Sequence, residues 1–301
     1  ELTNDYRFQV YYNLGTGSVV STNLKKAWDL GFECSPSGTR IILNSSSFMV
    51  TASAGPVDFN TPIDTVGFTW RFDASSGNLD STAFGDWISY SEPDSAIIYS
   101  DNLYVIDRGY DEAGNLRGLR RIVFQEVTDT SFTFRYADFD GSNENIFTVI
   151  KDPSVNYVCF SFDNGGAQLN LEPAKESWDL IFTQYTTLLY TNTGEPYPYL
   201  LTGVLNNPSG VVAAQDTIFD FSAIDLDIAT SLIYTSALDE IGYDWKDVVG
   251  DVSSGIVTYV IKEGFNYVVR DADGFYYKLR FISFYNNDGD KGYPTFEYQR
   301  L

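Results

Sequence analysis

The sequence predicts an all-β protein built from two tandem homologous, mostly antiparallel β domains with at most short helices. Three observations carry that expectation. Aromatic and apolar residues alternate with polar ones at period two. Tyr (22), Phe (22) and Gly (24) are abundant beside recurring Val, Ile and Thr, whereas Met occurs once, a mixture that suits twisted, half-buried strands joined by tight turns. Finally, one phrase is written twice: Lys25–Phe32 reads KKAWDLGF and Lys175–Phe182 reads KESWDLIF.

The repeat extends beyond that phrase. Tyr11–Glu33 matches Phe160–Thr183, with Trp28 and Trp178 150 positions apart. SGNLDSTAFGDW ends at Trp87 and TSALDEIGYDW at Trp245, 158 apart. LYVIDRG (103–109) is aligned with TYVIKEG (258–264), which places Val105 opposite Val260, and TFRY (133–136) with TFEY (295–298), at offsets of 155 and 162. Four collinear matches at nearly constant offset indicate duplication, and the period is a domain length rather than a solenoid repeat. The domains are therefore expected at 1–150 and 151–301, with the seam in VIKDPSVN (149–156), where Pro153 and its polar neighbours suit a short connection.

Within each half the pattern is strand-like. Trp28, Leu30 and Phe32 share one face and Asp29 the other; Trp178, Leu180, Phe182 and Asp179 repeat the arrangement. Both tryptophans are expected to be buried. In FNYVVRDADGFYYKLRFISFY, Asp271–Gly274 is the turn of a hairpin, because Gly274 reaches positive φ at low cost. Tyr277, Leu279 and Phe281 then face one way, Lys278 and Arg280 the other. The helical candidate is the short segment 223–234, whose apolar spacing is ambiguous.

Charge and composition exclude several functions. A net charge of -22 with pI near 4.1 opposes a phosphate backbone or an anionic membrane surface; no nucleic-acid partner is expected. The chain has no histidine, which removes Ser-His-Asp and Cys-His catalysis, HExxH zinc sites and His-ligated haem. Cys34 and Cys159 lie 125 positions apart without metal spacing. Their pairing is left open, and Cys159 in NYVCFSF reads as an inert core thiol. No run of 18 apolar residues exists to span a bilayer. The chain starts at Glu1, consistent with a removed N-terminal signal.

SWDLIF, YTNTG, IGYDWK, TYVI and YYKLRFISFYNNDGDKGYPTFEYQRL resemble the HmuY-like proteins, which are surface-exposed or secreted lipoproteins of Gram-negative bacteria whose founding members bind haem. The resemblance covers 151–301 almost end to end and reaches the first half through AWDLGF, LYVI and the final strand. It implies an all-β fold, a ligand rather than a reaction, and a cell-surface or outer-membrane location reached through a lipid on a removed N-terminal cysteine. It also implies haem as cofactor, held in the family's characterised members by histidine or methionine. Here the only such residue is Met49, in the first half, so a bis-histidine-type complex is not expected. A tyrosine ligand is the remaining chemistry.

Candidate site residues follow. Tyr190–Val204 reads as a stiff, extended ligand-facing loop in which Tyr197 and Tyr199 alternate with prolines. They are the candidate cofactor-binding residues, an aromatic wall for a porphyrin or sugar; a rigid edge covering a sheet is the structural alternative. NNDGDKG (286–292) and DFDGSNEN (138–145) alternate oxygen ligands around a glycine as calcium loops do, which makes Asp288 and Asp290 candidate metal ligands, although a hairpin turn explains both segments. Asp29 and Asp179 are read as structural hydrogen-bond acceptors, and GTGSVV (15–20) lacks the Lys-Ser/Thr of a phosphate loop. No catalytic residue stands out and the protein is not expected to be an enzyme. Its expected role is a surface binding protein for haem or a porphyrin or, in the second reading, for a haem-independent glycan, peptide or protein ligand.

Overall fold

The computed structural model describes residues 1–251 and 256–301. In chain order the strands of the first half are β1 (Phe8–Asn13), β2 (Ser18–Leu24), β3 (Leu30–Glu33), β4 (Ile41–Leu43), β5 (Val50–Ser53), β6 (Ile88–Tyr90), β7 (Ile97–Tyr99), β8 (Tyr104–Asp107), β9 (Leu119–Val127), β10 (Ser131–Asp138) and β11 (Asn145–Ile150). The second half contributes β12 (Tyr157–Ser161), β13 (Ala167–Leu169), β14 (Leu180–Tyr190), β15 (Pro196–Asn206), β16 (Val212–Asp216), β17 (Lys246–Asp251), β18 (Ile256–Ile261), β19 (Asn266–Arg270), β20 (Tyr276–Tyr285) and β21 (Lys291–Arg300). Among the described residues one α-helix, α1 (Leu226–Ser231), lies within the ambiguous segment and is capped by Asp225, whose carboxylate accepts from the Ile228 amide. Every strand pair is antiparallel, as the period-two pattern predicts.

The strands form two sandwiches. In the first, the sheet β13-β12-β3-β4 faces the sheet β11-β10-β9-β8-β5 across an aromatic core in which Phe32 stacks on Phe134 at 5.2 Å and Phe160 meets Phe134 edge-on at 5.0 Å. In the second, β15-β14-β1-β2 faces β16-β19-β20-β21, and Trp245 stacks on Phe281 at 3.9 Å. The ribbons β6-β7 and β17-β18 lie beside the first and second core respectively.

The cut between 150 and 151 does not separate these sandwiches. The hairpin β1–β2 belongs to the second, paired to β14, whereas β12–β13 belongs to the first, paired to β3. The exchange is reciprocal and residue-matched. Val10 opposes Phe182 as Val158 opposes Phe32, and Tyr12 opposes Leu180 as Phe160 opposes Leu30. Asp179 N–H donates to Tyr12 O at 2.8 Å, and Asp29 N–H to Phe160 O at 2.8 Å. Period-two patterning specifies which face a strand buries but not which distant strand it joins, so the exchange is invisible in the sequence. The same pairing corrects one alignment. Tyr104 and Tyr267 hold equivalent places in β8 and β19, opposite Ile122 and Leu279, whereas Val260 lies in β18 and is no counterpart of Val105.

Other expectations are met locally. Gly274, at φ 89°, closes the turn after Asp271. Tyr277, Leu279 and Phe281 are buried. Lys278 is buried as well, its ammonium donating to the carbonyls of Phe221 and Ile224. Cys34 and Cys159 are both free and buried. Trp178 is buried but Trp28 is half-buried: Trp178 packs with Tyr11 and Ile181 in a small apolar cluster, whereas Trp28 joins none of the apolar clusters among the described residues.

Candidate functional site

The sequence motif Trp-Asp sits at the seam between the sandwiches in both copies. Asn44 Nδ2 donates to the carbonyls of Lys25 (2.6 Å) and Trp28 (2.8 Å); Asn207 Nδ2 donates to those of Lys175 (2.6 Å) and Trp178 (2.7 Å). Each asparagine thereby pins the turn that delivers its tryptophan. The two aspartates differ. Asp29 is fully buried and gripped by Arg108 through Nε and Nη2, both at 2.9 Å, with Arg117 at 3.0 Å and the Phe162 amide at 2.8 Å. Among the described residues the Asp179 carboxylate accepts from the Leu14 amide alone, at 2.6 Å, and burial pushes its carboxyl up to about 6. Both are structural acceptors, as expected.

Between the motifs lies a cavity of ≈160 Å³. Its walls come from both sandwiches: Tyr11, Ile181 and Tyr185 from the β1–β14 sheet, Tyr157 and Ile42 from the β12–β3–β4 sheet, and both motif tryptophans. The loop 73–82 closes one side, held by Leu238 N–H donating to Ser76 O at 2.9 Å and by Ser75 Oγ, which reaches Asp239 at 2.5 Å and Thr187 at 2.8 Å. Two acidic side chains line the cavity. Asp73 accepts from the amides of Leu43 (2.6 Å) and Ala83 (2.7 Å), and burial raises it to about 6. Glu172 accepts from Asn156 Nδ2 (2.6 Å) and the Tyr157 amide (2.9 Å), and burial raises it to about 7. Sequence reasoning singled out the tryptophans but missed the cavity, because its acids come from loops that carry no pattern.

Tyr197 and Tyr199 are on a strand rather than a loop. The segment expected as an edge loop is the long hairpin β14–β15, turned at 191–195 and paired through Tyr190 with Pro196. Tyr197 opposes Leu189 and Tyr199 opposes Thr187, so both rings share the face that carries Tyr185 toward the cavity. They are 37% and 42% exposed and meet edge-to-face at 6.2 Å. Pro196 and Pro198 occupy the edge strand, where a missing N–H does no harm. The hairpin thus presents an extended, preformed aromatic strip outside the core.

The calcium candidates form a turn. Asn286 Oδ1 accepts from the amides of Asp288 (3.0 Å) and Asp290 (2.8 Å), and Asn286 Nδ2 donates to the Asp290 carboxylate at 3.3 Å. Among the described residues no three His, Cys, Asp or Glu side chains cluster to hold a metal. In 138–145, Asp138 and Asp140 likewise accept from Asn143 and Ser142 of their own turn. Met49 is wholly buried in the first core and offers no sulfur to a surface ligand. Among the described residues no helix is long and apolar enough to cross a membrane.

Comparison with known proteins gives one family. The family model described as HmuY protein matches residues 136–298. Solved structures similar to the chain include a proposed lipoprotein of Bacteroides fragilis NCTC 9343 (17% identity over 60% of this chain and 88% of that one, TM-score 0.26). A proposed HmuY-like heme binding protein of Bacteroides vulgatus ATCC 8482 is also found (21%, 60% and 90%, TM-score 0.19). A third is apo PinO from Porphyromonas gingivitis (16%, 60% and 96%, TM-score 0.21). No curated protein matches the chain.

Proposed function

The chain belongs to the HmuY family, and from that membership we propose that it is a lipid-anchored binding protein of the cell surface, made of two divergent copies of one β unit, that takes a haem or porphyrin on the β14–β15 hairpin. The observation that carries this reading is the exposed pair Tyr197–Tyr199, two rings set edge-to-face on a strand stiffened by prolines. Such a strip offers a flat ligand one aromatic wall without reordering the backbone. With no histidine in the chain and Met49 in the core, the donor set that fits ferric iron is phenolic oxygen. Haem supplies the iron to be ligated. Tyr197 and Tyr199 would hold the group, their rings packing against the macrocycle and a phenolic oxygen supplying the donor for its iron.

Haemin titration followed through the Soret and Q bands tests this. The expected result is a saturable high-spin spectrum. A sharp low-spin spectrum at micromolar protein contradicts tyrosine ligation. No spectral change with the fold intact favours the second reading, in which the same strip receives a haem-independent glycan, peptide or protein.

A further inference from the structure

The seam cavity is a different site from the tyrosine strip, and its chemistry is specific. It is bounded by aromatic rings, among them Tyr11 and Trp178, which meet edge-to-face at 4.9 Å. Into this apolar space project two acids, Asp73 and Glu172, and among the described residues no lysine or arginine lines it. Among the described residues neither acid takes part in an ion pair. Two buried polar atoms on the wall also lack partners. Asn206, 1% exposed, has its Oδ1 unsatisfied, and Trp178, 5% exposed, aims its indole N–H at Glu172 without closing a hydrogen bond of ordinary geometry. Buried polar atoms are normally paired, and unpaired ones in a roomy cavity mark the place of a missing partner.

We propose that the seam cavity binds a small organic ammonium, a primary amine on a compact apolar or aromatic body. The cation supplies the charge that Asp73 and Glu172 lack, and its N–H groups supply the donor that Asn206 Oδ1 lacks. The ring faces of Trp28, Trp178 and Tyr11 attract a cation directly. An ionised, ligand-bound Glu172 is a better acceptor for the Trp178 indole. Size sets the limit: a cavity of about 150 Å³ holds one benzene, so at ≈160 Å³ the ligand is of roughly that class and a porphyrin is excluded. Because the wall takes strands from both sandwiches, the cavity exists only in the complete chain.

Phenethylamine, 2-phenylethanol and 3-phenylpropionate form a series of similar shape with positive, neutral and negative ends. Titrated into the full chain, phenethylamine should shift the Trp178 indole N–H resonance saturably, that signal being assigned by its loss in Trp178→Phe. It should bind at least tenfold more tightly than the alcohol, and the acid should not bind. Glu172→Gln combined with Asp73→Asn should remove that tenfold preference while far-UV circular dichroism stays unchanged; if the double variant does not fold, the ligand series on the native chain decides alone. Equal binding of amine and alcohol, or no saturable shift with any of the three, overturns the proposal. Tyr197→Phe with Tyr199→Phe should leave amine binding intact, so failure of the haem reading and failure of this one are separable.

Discussion

Replacing Asp29 and Asp179 by asparagine, one at a time, should give opposite results at two positions that the sequence writes identically. Asp29 is 0% exposed and neutralises two guanidinium groups whose side chains are 4% and 8% exposed. With asparagine there, Arg108 keeps only Asp163, which is 54% exposed, and Arg117 keeps the same group at 3.8 Å. An amide cannot compensate a buried cation, and breaking a buried pair from one side costs about 3–5 kcal/mol. Asp179 faces no cation among the described residues, and burial holds its carboxyl near 6. Asparagine there keeps an acceptor for the Leu14 amide and removes a charge that burial disfavours. The expected change is under about 1 kcal/mol in either direction at pH 7.5. Urea unfolding followed by near-ultraviolet circular dichroism reads both from the midpoint at constant slope. Equal losses, or a larger loss for Asp179→Asn, would refute the assignment of the arginine clamp to the first sandwich alone.

Stability should rise as pH falls from 7 to about 5. The folded chain holds Asp73 and Asp179 near 6 and Glu172 near 7, above their ordinary values of 3.8 and 4.5. It therefore binds more protons than the unfolded chain between those limits, and stability falls as pH climbs through them. At ~1.4 kcal/mol per unit, halved for partial exposure, the three groups together supply roughly 2–3 kcal/mol across that window. Thermal melts at pH 5 and pH 7 check this, and a lower melting point at pH 5 would contradict it. Lys246, pushed down to about 7 by burial, acts in the opposite sense, adding stability as pH rises above 7. Trp178→Ala should cost about 3–5 kcal/mol, as large buried aromatics do, and Trp28→Ala clearly less, because Trp28 is half-buried; equal costs in chemical denaturation would contradict the asymmetry.

Much of the fold was legible because it is local. The hairpin at Asp271–Gly274, the inward rings of Tyr277, Leu279 and Phe281, and the faces of Leu30 and Phe32 follow from period two and turn chemistry. The repeated Trp-Asp phrase led to positions that are structurally equivalent. What could not be read was partner choice. Nothing in Val10 or Tyr12 specifies that β1 pairs with β14, across a separation of about 170 residues, instead of with a strand of its own half. The alignment of Val105 with Val260 failed for a related reason: short β-branched runs look alike in β8 and β18 while occupying different sheets. Tyr197 and Tyr199 were singled out by composition alone, and their strand character depended on pairing with β14. The cavity was illegible, since Asp73, Glu172 and Asn206 converge only after both sandwiches close.

The central claim is that an aromatic strip, not histidine or methionine, receives the ligand, and the comparison that tests it most directly is haemin titration of the native chain beside Tyr197→Phe with Tyr199→Phe. Both phenylalanines keep the ring wall and remove only the oxygens, so the fold should be unchanged. The account predicts a saturable high-spin spectrum in the native chain whose tyrosinate-to-iron charge-transfer band disappears in the double variant, with weaker haemin binding. An identical spectrum and affinity in the two proteins would contradict it.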